Sequence, residues 1–205
     1  QRQMCIRDRG IRPLLWKNGW PVAGEVFKEG TYEIESERRG YALELAVDFV
    51  RMEYTRHRFW EKDDTPVVPL KSQTLEDVIE TWPQGKINVR IGDYMFRPHQ
   101  KWTITAVPDG GGYLGGPYYK IVIEGTNRAL AATADAEVVT VPEFTGAPEQ
   151  LWRIDQLTDG TYRIMPKEVP GTDKELVLAS VGDSTPSLGE FDMNSDNSKW
   201  NFRDH

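Results

Sequence analysis

Apolar and polar residues along this chain alternate in short runs, the period-two signature of half-buried strands, and do not recur every three or four residues as in a helix. One set of such runs occupies residues 41–45, 129–132 and 176–179, and a second occupies 87–94, 138–144 and 188–191. Each run is bounded by Gly, Pro, Asn and Asp, the residues that turns require. Ahead of them, residues 10–22 read as a hairpin. Leu14-Leu15-Trp16 and Trp20-Pro21-Val22 flank Lys17-Asn18-Gly19, and Asn-Gly favours the primed turn that matches strand twist.

Two phrases repeat in the same order around those runs. Trp102, Trp152 and Trp200 stand 50 and 48 residues apart, in Gln100-Lys101-Trp102-Thr103-Ile104, Gln150-Leu151-Trp152-Arg153-Ile154 and Ser198-Lys199-Trp200-Asn201-Phe202. Tyr32-Glu33-Ile34, Tyr119-Lys120-Ile121 and Tyr162-Arg163-Ile164 form the other phrase. From its Ile to the next Trp is 68 residues in the first copy, against 31 and 36 in the others, so the first copy carries an insertion at about residues 47–86. Each copy reads as four strands, and four strands cannot close their own apolar face. Three copies around a threefold axis bury a shared core, the logic of internally repeated folds. The pattern predicts an all-β fold, a β-trefoil of three four-stranded repeats at about 31–107, 118–157 and 161–205, within a domain spanning 25–205. Residues 10–24 are a separate hairpin. The recurring Gln100, Trp102, Gln150, Trp152 and Trp200 are read as structural, the Trp and Tyr side chains as core and the Gln side chains as braces for turns.

Inside the insertion, Thr74-Leu75-Glu76-Asp77 opens a short helix that Trp82-Pro83 ends. A loop of this length on such a fold is either a functional elaboration or a brace against a neighbouring domain. Residues 1–9 (QRQMCIRDR) have no periodicity. Their MCIRDR string resembles translated sequencing-adaptor sequence, and they are read as a non-native leader outside the fold.

The chain has 205 residues, enough for one good core with a small appendage. A formal charge of -7 and the lack of clustered Lys and Arg argue against a nucleic-acid partner, and no apolar run is long enough to span a bilayer. Cys5 is the single cysteine, so no intrachain disulfide forms. No nucleophile, paired acid and base, cofactor cradle or metal constellation emerges. Asp63, Asp64 and Glu76 lack acid and base spacing, and His57, His99 and His205 are scattered. Asp192-Met193-Asn194-Ser195-Asp196 has the rhythm of a calcium loop, but Asn197 replaces the glycine and Arg203 stands where the bidentate Glu belongs. Neither enzymatic activity nor a cofactor is expected of this chain.

The Q-x-W phrases resemble the ricin-type lectin trefoil family over about residues 31–205. Separately, Ile11-Arg12-Pro13-Leu14-Leu15-Trp16 with Gly19-Trp20-Pro21-Val22 resembles the last hairpin of five-bladed β-propeller glycoside hydrolases of the arabinanase and β-xylosidase kind (glycoside hydrolase family 43-like). Together the resemblances imply a carbohydrate-binding module at the C-terminus of an arabinan-degrading enzyme, with the propeller catalytic domain as its partner in cis. They also imply a polysaccharide or oligosaccharide ligand and a secreted, periplasmic or cell-surface location in a bacterium. The family's sugar sites pair an acid with an aromatic platform and an amide. Carried onto this chain, the resemblance places Glu44 as the acid of the first copy, with Asp93, Tyr94 and His99 beside it. It leaves Ala131 and Val177 at the acid positions of the second and third copies. In the third copy it puts Asn197 at the amide position, among Asp183, Asp192, Asn194 and Asp196. The same residues have a plainer reading: Tyr94 and Phe144 as packing, and the carboxylates as solvated loop charges.

Overall fold

A computed structural model describes residues 14–17, 20–23, 26–37, 41–47, 75–94, 97–113, 116–181 and 185–204. Strands β1 (Leu14–Lys17) and β2 (Trp20–Ala23) pair antiparallel as their own two-stranded sheet, with Lys17 opposite Trp20 as a two-residue turn requires. The leader and most of the insertion lie outside the described residues, as do the side chains of Trp16 and Trp20.

Among the described residues twelve further strands follow, in three sets of four. The first is β3 (Gly30–Ser36), β4 (Tyr41–Leu45), β5 (Ile87–Asp93) and β6 (Lys101–Tyr113). The second is β7 (Gly116–Ile123), β8 (Ala129–Ala132), β9 (Val138–Val141) and β10 (Trp152–Gln156). The third is β11 (Tyr162–Pro166), β12 (Val177–Val181), β13 (Thr185–Gly189) and β14 (Trp200–Asp204). First and last strands of the sets pair in the cycle β3-β6-β7-β10-β11-β14 and back to β3, which closes a six-stranded barrel without a free edge. The inner strands of each set pair as β4-β5, β8-β9 and β12-β13, three hairpins. A six-stranded barrel with three hairpins is the β-trefoil that the repeats predict.

The three Trp side chains are fully buried, and each indole N–H donates to a backbone carbonyl of its own repeat's second strand. Trp102 reaches Leu43 O at 2.9 Å, Trp152 reaches Leu130 O at 2.9 Å and Trp200 reaches Leu178 O at 2.8 Å. Three identical bonds at threefold-related positions explain why Trp recurs: burial of its large ring needs an acceptor for the indole N–H. The phrase before each Trp forms a short 3-10 turn, at Pro98–Gln100, Pro148–Gln150 and Asp196–Ser198.

The Tyr residues of the other phrase gather at one place in the core, around Phe27. Its ring centroid is 5.2 Å from Tyr32, 6.0 Å from Tyr119, 5.5 Å from Tyr162 and 4.5 Å from Phe202. Phe27 N donates to the Tyr119 hydroxyl at 2.7 Å, and that hydroxyl donates to Phe27 O at 3.2 Å. The segment between the N-terminal hairpin and the barrel thus contributes a single aromatic ring that all three repeats share.

The described end of the insertion is anchored. Helix α1 spans Leu75–Glu80 and ends before Trp82, which is buried in the main core. Thr74, expected to cap it, lies outside the described residues. Arg128 holds the chain beyond the helix, donating to Pro83 O and Gly85 O, both at 2.7 Å.

Some expected boundaries shift: β5 ends at Asp93 and not 94, and β9 ends at Val141 and not 144. In the third repeat the hairpin strands run Val177–Val181 and Thr185–Gly189, not 176–179 and 188–191. Val181 pairs with Thr185, so a three-residue connection draws the third strand upstream and leaves Phe191 in a loop.

Candidate functional site

The indole bonds supply a ruler for comparing repeats. Leu43, Leu130 and Leu178 are equivalent, so the next residues, Glu44, Ala131 and Ala179, share one position. The expected third-copy residue Val177 is therefore off by two, and the equivalent residue is Ala179.

Glu44 is only 2% exposed. Arg90, directly across the hairpin from it, donates from Nε to Glu44 Oε1 at 2.5 Å, and Gln100 Nε2 donates to Oε2 at 2.7 Å. His99 Nε2 lies 3.2 Å from the same Oε2, and the His99 ring is itself buried. Burial alone would raise the Glu44 pKa, but the hydrogen bonds from His99, Arg90 and Gln100 outweigh it and hold the carboxyl below its usual range. The first copy does bring Glu44, His99 and Gln100 together, but as a closed network and not as an acid facing solvent. A carboxylate whose oxygens already accept from three side chains has little capacity left for sugar hydroxyls.

Gly92 makes this packing possible. A Cβ there would overlap the Glu44 carboxylate, so the glycine serves close approach and not an unusual backbone angle. Gly92→Ala is expected to cost about 1–3 kcal/mol by driving the carboxylate off its donors, and far less in a Glu44→Ala background. A double-mutant cycle in chemical denaturation reads the coupling, and strictly additive costs would refute it.

Asp93 ends β5 with its side chain outward, and its backbone carbonyl accepts from Gln100 Nε2 at 2.7 Å. In the second copy the Gln braces a turn, Gln150 Oε1 accepting from Thr145 N at 2.7 Å. Gln100 and Gln150 are buried.

Tyr94 belongs to a different constellation. Its hydroxyl donates to Glu33, and Arg203 lies 4.6 Å from its ring centroid. Burial, then the Glu33 hydrogen bond, push the phenol up to about 12. The other repeats pair the same strand position with an aromatic residue: Lys120 Nζ lies 5.6 Å from the Phe144 centroid and the Arg163 guanidinium 5.3 Å from that of Phe191. Where the strand offers a cation the aromatic is Phe. Where it offers the acid Glu33 the aromatic is Tyr, whose hydroxyl can donate. Arg203 on β14 stands opposite Glu33 in the ladder and ion-pairs with Glu35 at 3.1 Å, and Asp155 on β10 stands opposite Arg163, Arg163 Nε to Asp155 Oδ2 being 2.8 Å. These contacts bind neighbouring strands, the packing role that the plainer reading assigns to Tyr94.

Asn197 is exposed on its 3-10 turn, and its backbone carbonyl accepts from Ser180 Oγ at 3.2 Å. Asp192, Asn194 and Asp196 are exposed around it, while Asp183 lies outside the described residues. Among the described residues no cluster of His, Cys, Asp and Glu is arranged to hold a metal ion.

Residues 98–187 match the family described as ricin-type beta-trefoil lectin domain-like. No curated protein sequence is significantly similar to the chain. Among solved structures, a mosquitocidal holotoxin aligns at 14% identity over 87% of this chain, with a TM-score of 0.58, and the chain spans only 18% of the holotoxin. The Polyporus squamosus lectin bound to the epitope Neu5Acα2-6Galβ1-4GlcNAc aligns at 17% identity over 87% of this chain and 50% of that one, TM-score 0.55. The β-trefoil lectin of the Vibrio vulnificus hemolysin/cytolysin, with N-acetyl-D-lactosamine bound, aligns at 12% identity over 85% and 93%, TM-score 0.51.

Proposed function

We propose that this chain is a carbohydrate-binding module, and that its ligand is an arabinose- or xylose-containing plant polysaccharide held near the active site of a propeller glycoside hydrolase in cis. The observation that carries the binding role is the lectin-family match at 98–187, which runs from the Q-x-W turn of the first repeat through the second to the hairpin of the third, in a chain whose three Trp bonds are in register. The pentose ligand and the secreted, periplasmic or cell-surface enzyme rest on less: the residue string 11–22, supported by β1 and β2 forming a hairpin apart from the trefoil sheets. Such a module raises the effective concentration of an enzyme on its polymer and needs no catalytic group of its own. No helix among the described residues is long and apolar enough to cross a membrane.

A second reading is favoured by one observation, the closed Glu44 network with Ala131 and Ala179 at the equivalent positions. In it the trefoil is an accessory domain that braces the propeller without binding sugar.

Presented to a glycan array and to arabinan and xylan affinity gels, the full chain is expected to be retarded weakly by pentose polymers and to release no reducing sugar from them. Single open sites burying one or two sugars give dissociation constants of about a millimolar, with a few reaching the high micromolar range. Binding only to galactose-terminated glycans would overturn the pentose assignment, and silence on every glycan would favour the accessory domain.

A further inference from the structure

We infer that Val26–Glu29 is a strap: Phe27 seats it in an aromatic socket of the barrel, it holds the N-terminal hairpin to that socket on a short tether, and it undocks as a unit while the barrel stays folded. The inference does not depend on whether the chain binds sugar.

The strap is held through side chains and not through the sheet. Residues 26–29 belong to no strand, and the ladder first takes up the chain at Gly30, opposite Ile104. The barrel cycle β3-β6-β7-β10-β11-β14 closes without them. Among the described residues no backbone-to-backbone bond ties the strap to the barrel. Instead the Tyr119 hydroxyl accepts from Phe27 N at 2.7 Å and donates to Phe27 O at 3.2 Å, and the Tyr32 hydroxyl donates to Lys28 O at 2.9 Å. Glu29 Oε1 accepts from Ala106 N of β6 at 2.6 Å. Of the four strap residues Phe27 alone is buried; Val26 is 54% exposed, and Lys28 and Glu29 are exposed as well.

A segment opens below the free energy of global unfolding when it buries few apolar contacts and leaves its backbone at the surface. Undocking this one frees a single buried ring and breaks no ladder bond. The socket does not need its occupant. Phe202 still touches Tyr32 and Tyr162, with centroids at 5.8 and 5.1 Å, and Tyr119 stays paired with Ala106 of β6 and Trp152 of β10. Because Tyr32 comes from the first repeat, Tyr119 from the second, and Tyr162 and Phe202 from the third, a docked strap is fixed to the whole barrel. Only Gly24 and Glu25 separate Ala23, the last residue of β2, from Val26. At about 3.8 Å per Cα step, the hairpin ends within roughly 11 Å of the strap. Whatever the hairpin carries is therefore tied to the barrel when the strap is docked, and swings from Gly30 when it is not.

Native-state hydrogen exchange of the full chain, followed by NMR over a urea series, tests the strap. The Phe27 amide is expected to exchange at least about tenfold more slowly than in an unstructured peptide, yet at least about a hundredfold faster than the slowest amides of β3, β6 and β7. Its rate should hardly change with urea below the unfolding midpoint, because undocking exposes little surface. Such a gap leaves the undocked barrel overwhelmingly folded, so Phe27→Ala must fold, with its slowest barrel amides sped up by about the factor that protects Phe27 in the parent. The same variant is expected to lower the heteronuclear NOE at the amides of β1 and β2, as the hairpin gains fast motion of its own. Tyr119→Phe keeps both rings and deletes both bonds to Phe27, and should loosen the hairpin in the same direction by less. A Phe27 amide that exchanges in step with the barrel amides, with their urea slope, would show that the ring opens only with the barrel and would overturn the strap. An unprotected Phe27 amide in the parent, a Phe27→Ala chain that does not fold, or a hairpin NOE that neither variant changes would overturn it as well.

Discussion

Trp152→Ala is expected to leave the chain unfolded or nearly so at room temperature. The side chain is fully buried, and Trp152 pairs with Tyr119 of β7 and Pro166 of β11, so it sits where the second repeat closes onto both neighbouring barrel strands. Truncating a buried Trp costs about 3–5 kcal/mol through lost burial and the cavity left behind. Leu130 O would also lose its donor, adding about 1–3 kcal/mol if water cannot reach it. The sum is comparable to the entire stability of an ordinary domain, about 5–15 kcal/mol. Trp152→Phe separates the two contributions, since it keeps most of the ring and deletes the N–H, and it should cost roughly half as much. Because Trp102 and Trp200 make the same bond, their alanine variants should be similarly severe. Urea denaturation followed by circular dichroism gives the ranking. A Trp152→Ala midpoint close to that of the parent would show that the buried indole and its bond to Leu130 O do not hold the fold together.

That the fold could be read from the chain follows from this same physics. A core shared by three repeats imposes its requirements three times, so Trp102, Trp152 and Trp200, with Tyr32, Tyr119 and Tyr162, appear as copies and align their strands. What occurs once leaves no such trace. Phe27 plugs the barrel on behalf of all three repeats, so a single residue suffices and nothing in the other copies announces it. Arg90 was also hidden, although it stands directly across from Glu44, because the insertion sets the two 46 positions apart and conceals that β4 and β5 are hairpin partners. Counting back from Trp102 and Leu43 to the hairpin register would have found it. The acid position of the third repeat, held by Ala179, was misplaced by two residues for a related reason: apolar alternation gives a strand's phase but not where its hairpin turns. The aromatic and charged pairs were half visible, in that Glu33, Lys120 and Arg163 stand in the repeated phrase. Of their partners, Tyr94 and Phe144 each stand eight residues before their Trp, and Phe191 stands nine before Trp200.

Glu44→Gln is expected to lower stability by about 2–3 kcal/mol at neutral pH, and the deficit is expected to vanish in acid. The resemblance places Glu44 as the sugar-gripping acid of the first copy, and its burial among Arg90, His99 and Gln100 makes it part of the fold. A carboxylate accepts from all three. A glutamine in the same place turns an N–H donor toward at least one of theirs, and charge-assisted bonds are about twice as strong as neutral ones. Arg90 is partly exposed and can swing toward water, which limits the loss; His99 and Gln100 are buried and cannot. The pH dependence has a definite sign. The folded-state pKa of Glu44 is lowered from 4.5, so its contribution is complete above that unfolded value and disappears as pH falls through the lower folded value. Parent and variant should therefore differ by a constant amount well above pH 4.5 and converge only as pH falls through the lowered folded value, where the parent's side chain also becomes neutral. Thermal or urea unfolding of the two proteins across pH 3–7 measures the gap. A gap that stays constant through that range would mean that the network does not depend on an ionised Glu44, and one that widens in acid would reverse the sign of the argument.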